Sequence, residues 1–261
     1  MKVLFLGNSH TFYNDMPKIF ANICKEKGKD VEVSMQAHPG VTYGWHYSQF
    51  TELRFALMYG GFDYLIMQQA AHSPCPSKEE TITDGMKIVQ LARACGVTPI
   101  QVMPWAEKRD PAHQKGMYEI YNEFSEKAQV KLSCVGNVFE DVFYNHPEID
   151  MYWRDGEHAS PYGSYVIAMC AYSAIFSQSV KGLAPNSYYT YPVSEADWLL
   201  VQDGFKKMKE NPDDEDLKRR AYAEYKEHIK PVLCEEDAFF ALDAVKAQTL
   251  QDLVDEYSLG K

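Results

Sequence analysis

"FLGNSHTFYND" (residues 5–15) overlaps a short apolar run, KVLFL at 2–6, and then stops reading as a strand without yet reading as a helix. Its centre is Gly7-Asn8-Ser9-His10, a glycine that permits a sharp turn followed at once by polar side chains. Four more apolar runs of similar length follow: VEVSM at 31–35, FDYLIMQ at 62–68, TPIQVM at 98–103 and VKLSCV at 130–135. Runs this short, separated by stretches of helical periodicity, predict strands of a parallel sheet covered on both faces. The chain therefore reads as a three-layer α/β protein in the flavodoxin-like order 2-1-3-4-5, with the loop after the first strand at the point where the strand order reverses.

The helical stretches have readable ends. Asn14 or Asp15 before Pro17 predicts a helix start, and Gly28 its stop. Ser77 with Glu80 three residues later predicts a capping box, with Gly96 at the far end. Residues 112–129 and 160–179 are two more helix candidates, the second apolar enough to pack on the sheet. Beyond GLAPNSYYTYP (182–192) the chain reads as helical and charged without a further strand, with Tyr222, Tyr225, Phe239 and Phe240 as packing residues on helical spacing. The expected division is a main domain over 1–190 and a helical extension over 191–261 packed on it.

Of the 261 residues, 46% are apolar and 24% charged, enough to bury a sizeable core. A net charge of −11 argues against nucleic acid as the partner, because phosphate backbones are bound by basic surfaces. Cysteines at 24, 75, 95, 134, 170 and 234 form no Cys-x-x-Cys pair and read as buried free thiols of a reducing compartment. The first apolar run is too short for a signal peptide and no run is long enough to span a bilayer, so a cytoplasmic location without membrane contact is expected.

A serine at the corner after the first strand can attack while its own N–H helps hold the resulting oxyanion. It can equally cap the next helix, or its loop can hold a phosphate as in flavodoxin-like nucleotide or FMN binders. A nucleophile needs a base, and WRDGEHASPYG (153–163) supplies Asp155 and His158 after the fifth strand, on the same rim. At this spacing the carboxylate can hold the imidazole tautomer and stabilise the imidazolium. His10, His38, His46, His72 and His158 raise a metal-hydrolase alternative, but no His-Glu-x-x-His or His-x-His spacing supports it, and neither metal nor cofactor is expected. A catalytically silent carbohydrate-binding domain is the remaining alternative.

"FLGNSHT" near the start together with "DGEHASPYG" late resembles the SGNH or GDSL-type hydrolases, over about residues 1–180. The resemblance implies a Ser9–His158–Asp155 triad that hydrolyses short acyl esters, often acetyl esters on carbohydrates, through an acyl-enzyme. Asn8 stands where the family motif has aspartate. For the oxyanion hole the resemblance implies the Ser9 N–H, a glycine after the second strand and an asparagine after the third. Gly40 lies closer to the strand end than Gly44. The Gly-x-Asn-Asp pattern is missing after the third strand, where Gln68 and His72 are the nearest candidates. Aromatic residues collect on the same loops, and Tyr43, Trp45, Trp105 and Trp153 are expected to stack on a sugar.

Overall fold

The first strand, β1 (Lys2–Gly7), is buried from Val3 onward, and its side chains divide by the two-residue period of a strand. Val3 and Phe5 face one apolar cluster, whereas Leu4 and Leu6 face another. A strand so divided needs a helical layer on each side. The computed structural model describes residues 1–49, 51–72 and 76–260.

Beside β1 lie β2 (Glu32–Ala37), β3 (Tyr64–Met67), β4 (Thr98–Val102) and β5 (Lys131–Ser133). All neighbouring pairs are parallel and the order is β2-β1-β3-β4-β5, as the pattern of apolar runs predicts. The order reverses between β1 and β3, so the loops leaving these strands flank the crevice in which this architecture binds ligands.

The helices up to the third strand are α1 (Ser9–Phe12), α2 (Met16–Glu26), α3 (Tyr43–Ser48) and α4 (Leu53–Tyr59). After it come α5 (Lys78–Ala94), α6 (Gln114–Ala128), α7 (Val135–Asn145) and α8 (Pro161–Phe176). Side chains of α2, α7 and α8 build the first cluster, and those of α3 to α6 build the second. The predicted capping box is present at α5, with Ser77 accepting from Glu80 N and the Glu80 carboxylate accepting from Ser77 N. Gly28 and Gly96 end their helices at φ +69° and +75°, where residues with a Cβ are strained.

The rest of the chain holds β6 (Asn186–Tyr188), α9 (Glu195–Glu210), α10 (Glu215–His228), α11 (Glu235–Ala238), β7 (Phe239–Ala241) and α12 (Ala244–Leu259). Phe239 and Phe240 therefore lie in a strand, not on a helix, and β7 pairs antiparallel with β6. The correction has a simple cause: the partner strand lies some fifty residues earlier, beyond the reach of a local periodicity. From α12, Leu250, Leu253 and Val254 join the first cluster, while α9 and α10 pack on each other and are tied by His228 Nδ1 to Asp197 Oδ1 at 2.7 Å.

Cys24, Cys134 and Cys170 are buried thiols, Cys95 is half-buried, and Cys234 is exposed, against expectation, on the turn before α11. Cys75 lies outside the described residues. No helix among the described residues is long and apolar enough to cross a membrane.

Candidate active site

The chain leaves β1 through Gly7, where a Cβ would lie 2.2 Å from Thr11 Oγ1, so no larger residue fits the turn. The Gly7 carbonyl accepts from buried His46 Nε2 at 2.7 Å, which anchors the corner to α3. Asn8, not Ser9, caps α1: its Oδ1 accepts from His10 N at 3.1 Å, and its Nδ2 donates to Val41 O at 3.2 Å. Asparagine at this place therefore does what an aspartate cannot, holding the loop after β2 with an N–H. Ser9 is freed from capping and stands half-buried as the first residue of the turn, its N–H without an intrahelical acceptor.

Helix α1 is a single turn, and the chain kinks before α2 with Asn14 and Asp15 both left-handed, at φ 55° and 51°. Sequence patterning assigns these residues to a helix cap, but neither side chain caps α2 in that role. Asn14 is fully buried, and its Nδ2 donates to Ala159 O at 2.8 Å and to Ser164 Oγ at 2.9 Å. It thus ties the serine loop to the residue after His158. Asparagine tolerates left-handed backbone better than most residues, so this strain has a partner that offsets it.

The second loop is shaped around Gly156, at φ +74°. Its turn lets Asp155 Oδ1 accept from the backbone N–H groups of Glu157 and His158, both at 2.9 Å. Asp155 Oδ2 then meets His158 Nδ1 at 2.6 Å, and His158 Nε2 meets Ser9 Oγ at 2.7 Å. Burial would raise the Asp155 carboxyl, but the His158 hydrogen bond and charge, with the two backbone donors, outweigh it and hold it below the usual carboxylate range.

His158 is clamped between two rings. Tyr13 stacks on it at 4.0 Å between centroids and 16° between planes, and His10 stacks on it at 4.6 Å and 21°. Tyr13 is backed in turn by Tyr191 and the edge of Trp153, within a cluster that includes Val201 and Ile229. An imidazole held on both faces keeps the rotamer that points Nε2 at the serine.

Next to this line lies a group that sequence spacing does not reveal. Glu157 Oε1 is 3.6 Å from His10 Nε2 and 3.3 Å from His72 Nδ1. Burial pulls the His10 imidazole down to about 3 against the influence of Glu157, so it is neutral at physiological pH.

Several expected site residues fall elsewhere. Tyr43 is wholly buried under the sheet and donates its hydroxyl to Gln101 Oε1 at 2.6 Å. Trp105 is buried against Phe139, with its Nε1 donating to Glu157 O, and Trp153 is buried with its Nε1 donating to Tyr191 O. None of these three offers a face to a sugar; their polar atoms are used to roof the core. Trp45 remains half-buried on α3, with its ring 4.6 Å from that of His38.

The oxyanion candidates separate in the same way. Gly40 is exposed at φ +67° on the loop that Asn8 holds, whereas Gly44 lies inside α3 facing Asp84. His72 is buried, its Nε2 donating to Trp105 O at 2.8 Å and its Nδ1 facing Glu157. It is therefore not free to stabilise an oxyanion. Gln68 accepts the Thr11 hydroxyl at its Oε1, which leaves its amide nitrogen as a donor. The neighbouring Gln69, overlooked in the sequence, has its Oε1 fixed by Tyr43 N and Ala70 N, which likewise leaves its amide nitrogen as a donor.

No protein-family profile and no curated protein matches the chain. Solved structures do. A candidate SGNH hydrolase from Slackia heliotrinireducens is 23% identical, with a TM-score of 0.57 over 67% of this chain and 98% of its own. An acetylxylan esterase from Geobacillus stearothermophilus is 12% identical, with a TM-score of 0.56 over 67% of this chain and 94% of its own. A DUF4886 family protein from Bacteroides uniformis is 14% identical with a TM-score of 0.63, and it covers 99% of this chain and 95% of its own, including the region after β6. With a five-stranded parallel sheet in the order β2-β1-β3-β4-β5 and the serine corner at its switch point, the chain has the fold of the SGNH hydrolases.

Proposed function

We propose that this protein is a serine esterase that removes short acyl groups, acetyl foremost, through an acyl-enzyme on Ser9. The observation that carries the reading is the continuous line from Asp155 Oδ2 through His158 to Ser9 Oγ, at 2.6 and 2.7 Å. His158 Nε2 takes the Ser9 proton as Oγ attacks the acyl carbon, and Asp155 keeps the imidazole in the required tautomer and stabilises the imidazolium. The same proton then passes to the departing alcohol. Water, deprotonated by His158, releases the acid and restores Ser9.

The oxyanion is held by the Ser9 N–H, by the loop bearing Gly40 and by the amides of Gln68 and Gln69. One such donor contributes on the order of 10²–10³ in rate. A carbohydrate alcohol is favoured by the acetylxylan esterase among the structural neighbours and by the half-buried Trp45, no longer by a set of four stacking aromatics. A flavodoxin-like nucleotide site would leave the Asp155–His158–Ser9 line without a use.

A fluorophosphonate probe followed by peptide mass mapping tests the reading. Modification of Ser9, with p-nitrophenyl acetate cleaved far faster than long-chain esters, is the expected result. Label on another residue, or ester turnover that survives Ser9→Ala, would overturn it.

A further inference from the structure

We propose that His10, His72 and Glu157 form a binding site for one divalent transition-metal ion of the zinc type, which fastens together the three loops that carry the serine, the base and the crevice wall. The tautomer of His72 is the starting point. Its Nε2 lies 2.8 Å from the Trp105 carbonyl, and a carbonyl only accepts, so Nε2 carries a hydrogen, and in the neutral ring Nδ1 presents a lone pair. That Nδ1 is buried and has no hydrogen-bond partner among the described residues, although Glu157 Oε1 is 3.3 Å away. Two acceptors facing each other repel; a cation between them satisfies both.

The spacing suits such an ion. Tetrahedral zinc with bonds of about 2.0–2.2 Å places its ligand atoms roughly 3.3 Å apart. Here Glu157 Oε1 is 3.3 Å from His72 Nδ1 and 3.6 Å from His10 Nε2, and all three atoms lie within 4.8 Å of one another. Two imidazoles and one carboxylate are a ligand set that zinc uses, and the Trp105 carbonyl on the far nitrogen of His72 is the kind of outer partner that fixes a metal-bound histidine. The Glu157 side chain is 35% exposed, against 7% for His10 and 3% for His72, so the site opens on one side, where a tetrahedral ion would take a water as fourth ligand.

The ligands also explain why spacing in the sequence conceals the site. His10 follows Ser9, Glu157 lies between Asp155 and His158, and His72 lies on the loop after β3. An ion here would fasten those three segments without touching the substrate. The proposal stands apart from the esterase reading, since it uses none of Ser9, His158 or Asp155 as a ligand.

The test uses whole protein, wild type and Ser9→Ala, stripped with a chelator and dialysed against zinc chloride. One zinc per chain in both, a higher Tm on reloading, and the intense visible bands of four-coordinate cobalt after Co2+ substitution are expected. Glu157→Gln and His72→Ala should each bind at least about tenfold more weakly. Zinc that is not retained by wild type, or affinity unchanged in the Glu157→Gln/His72→Ala double variant, would overturn the proposal and leave an imidazolium at His72 as the partner of Glu157. Should those variants fail to fold, the cobalt spectrum of the wild type decides, because a weak six-coordinate spectrum overturns it equally. Fluorophosphonate labelling of Ser9 needs no metal, so failure of this site and failure of the esterase reading are seen separately.

Discussion

One loop, residues 155–158, supplies carboxylates to two histidine environments that share residue types and little else. Asp155 receives two backbone N–H groups on one oxygen and aims the other at His158 Nδ1, which leaves Nε2 directed at Ser9. Glu157 points to the other side of the turn, between His10 and His72, where one ring nitrogen has no hydrogen bond among the described residues. The first arrangement is complete in hydrogen bonds and open at one end, as proton transfer requires. The second is buried at its two imidazoles and opens to solvent only at Glu157. Which atom each ring offers, and which donors meet each carboxylate, separates a candidate base from a candidate ion cradle.

The comparison breaks most severely at the serine. Ser9→Ala should lower kcat for p-nitrophenyl acetate by about 10⁴–10⁶, with folding unchanged, since triad members act as a unit. Asp155→Asn should cost less, on the order of 10²–10⁴, because it removes orientation and charge but not the nucleophile. Equal losses in the two variants would show that Asp155 does more than position the base.

Asn14→Ala sharpens the contrast from outside both groups. It removes the two side-chain donors that hold the serine loop to Ala159 and Ser164 and leaves alanine in a left-handed conformation. A loss of about 1–3 kcal/mol in urea unfolding is expected, with a fall in kcat of up to about 10² from misplacement of Ser9. A stable variant with wild-type kcat would remove Asn14 from the positioning argument. Glu157→Gln should reduce turnover by only about tenfold or less, since the base keeps its own carboxylate. A loss as large as that of Asp155→Asn would merge the two environments into one.

The pH response carries the smallest effect. The folded Asp155 pKa lies below its unfolded value of about 3.9. Its contribution to stability is therefore fully present above that unfolded value and is lost as pH falls through the depressed folded one. Urea midpoints should be insensitive to Asp155→Asn substitution only at the acid end. Between about pH 5 and 8 the aspartate stays ionised, so Asp155→Asn should lower the urea midpoint throughout that window.

Much of this was legible in the chain because it rests on local rules. Ser77 and Glu80, Gly28 and Gly96, and the five apolar runs announce their roles through spacing of a few residues. The aromatics were not legible. Tyr43, Trp105 and Trp153 sit on rim loops in sequence, yet each turns its ring inward, because burying a large ring with its polar atom satisfied is favourable wherever the fold leaves room. The strand at Phe239–Ala241 escaped for a related reason: its partner, β6, is remote in sequence.

Sequence by itself therefore determined the α/β class, the strand order and the corner at which Ser9 stands, together with Asp155 and His158 at a spacing that shares one turn. These follow from period, turn chemistry and chain connectivity, which act over short distances. Only the tertiary structure decided that Asn8 takes over the cap and frees Ser9, that Asn14 pins the two loops, and that His72 turns its Nδ1 toward Glu157. Those outcomes depend on which acceptor lies nearest to each buried donor once three distant loops have been brought together, and no local pattern records that distance.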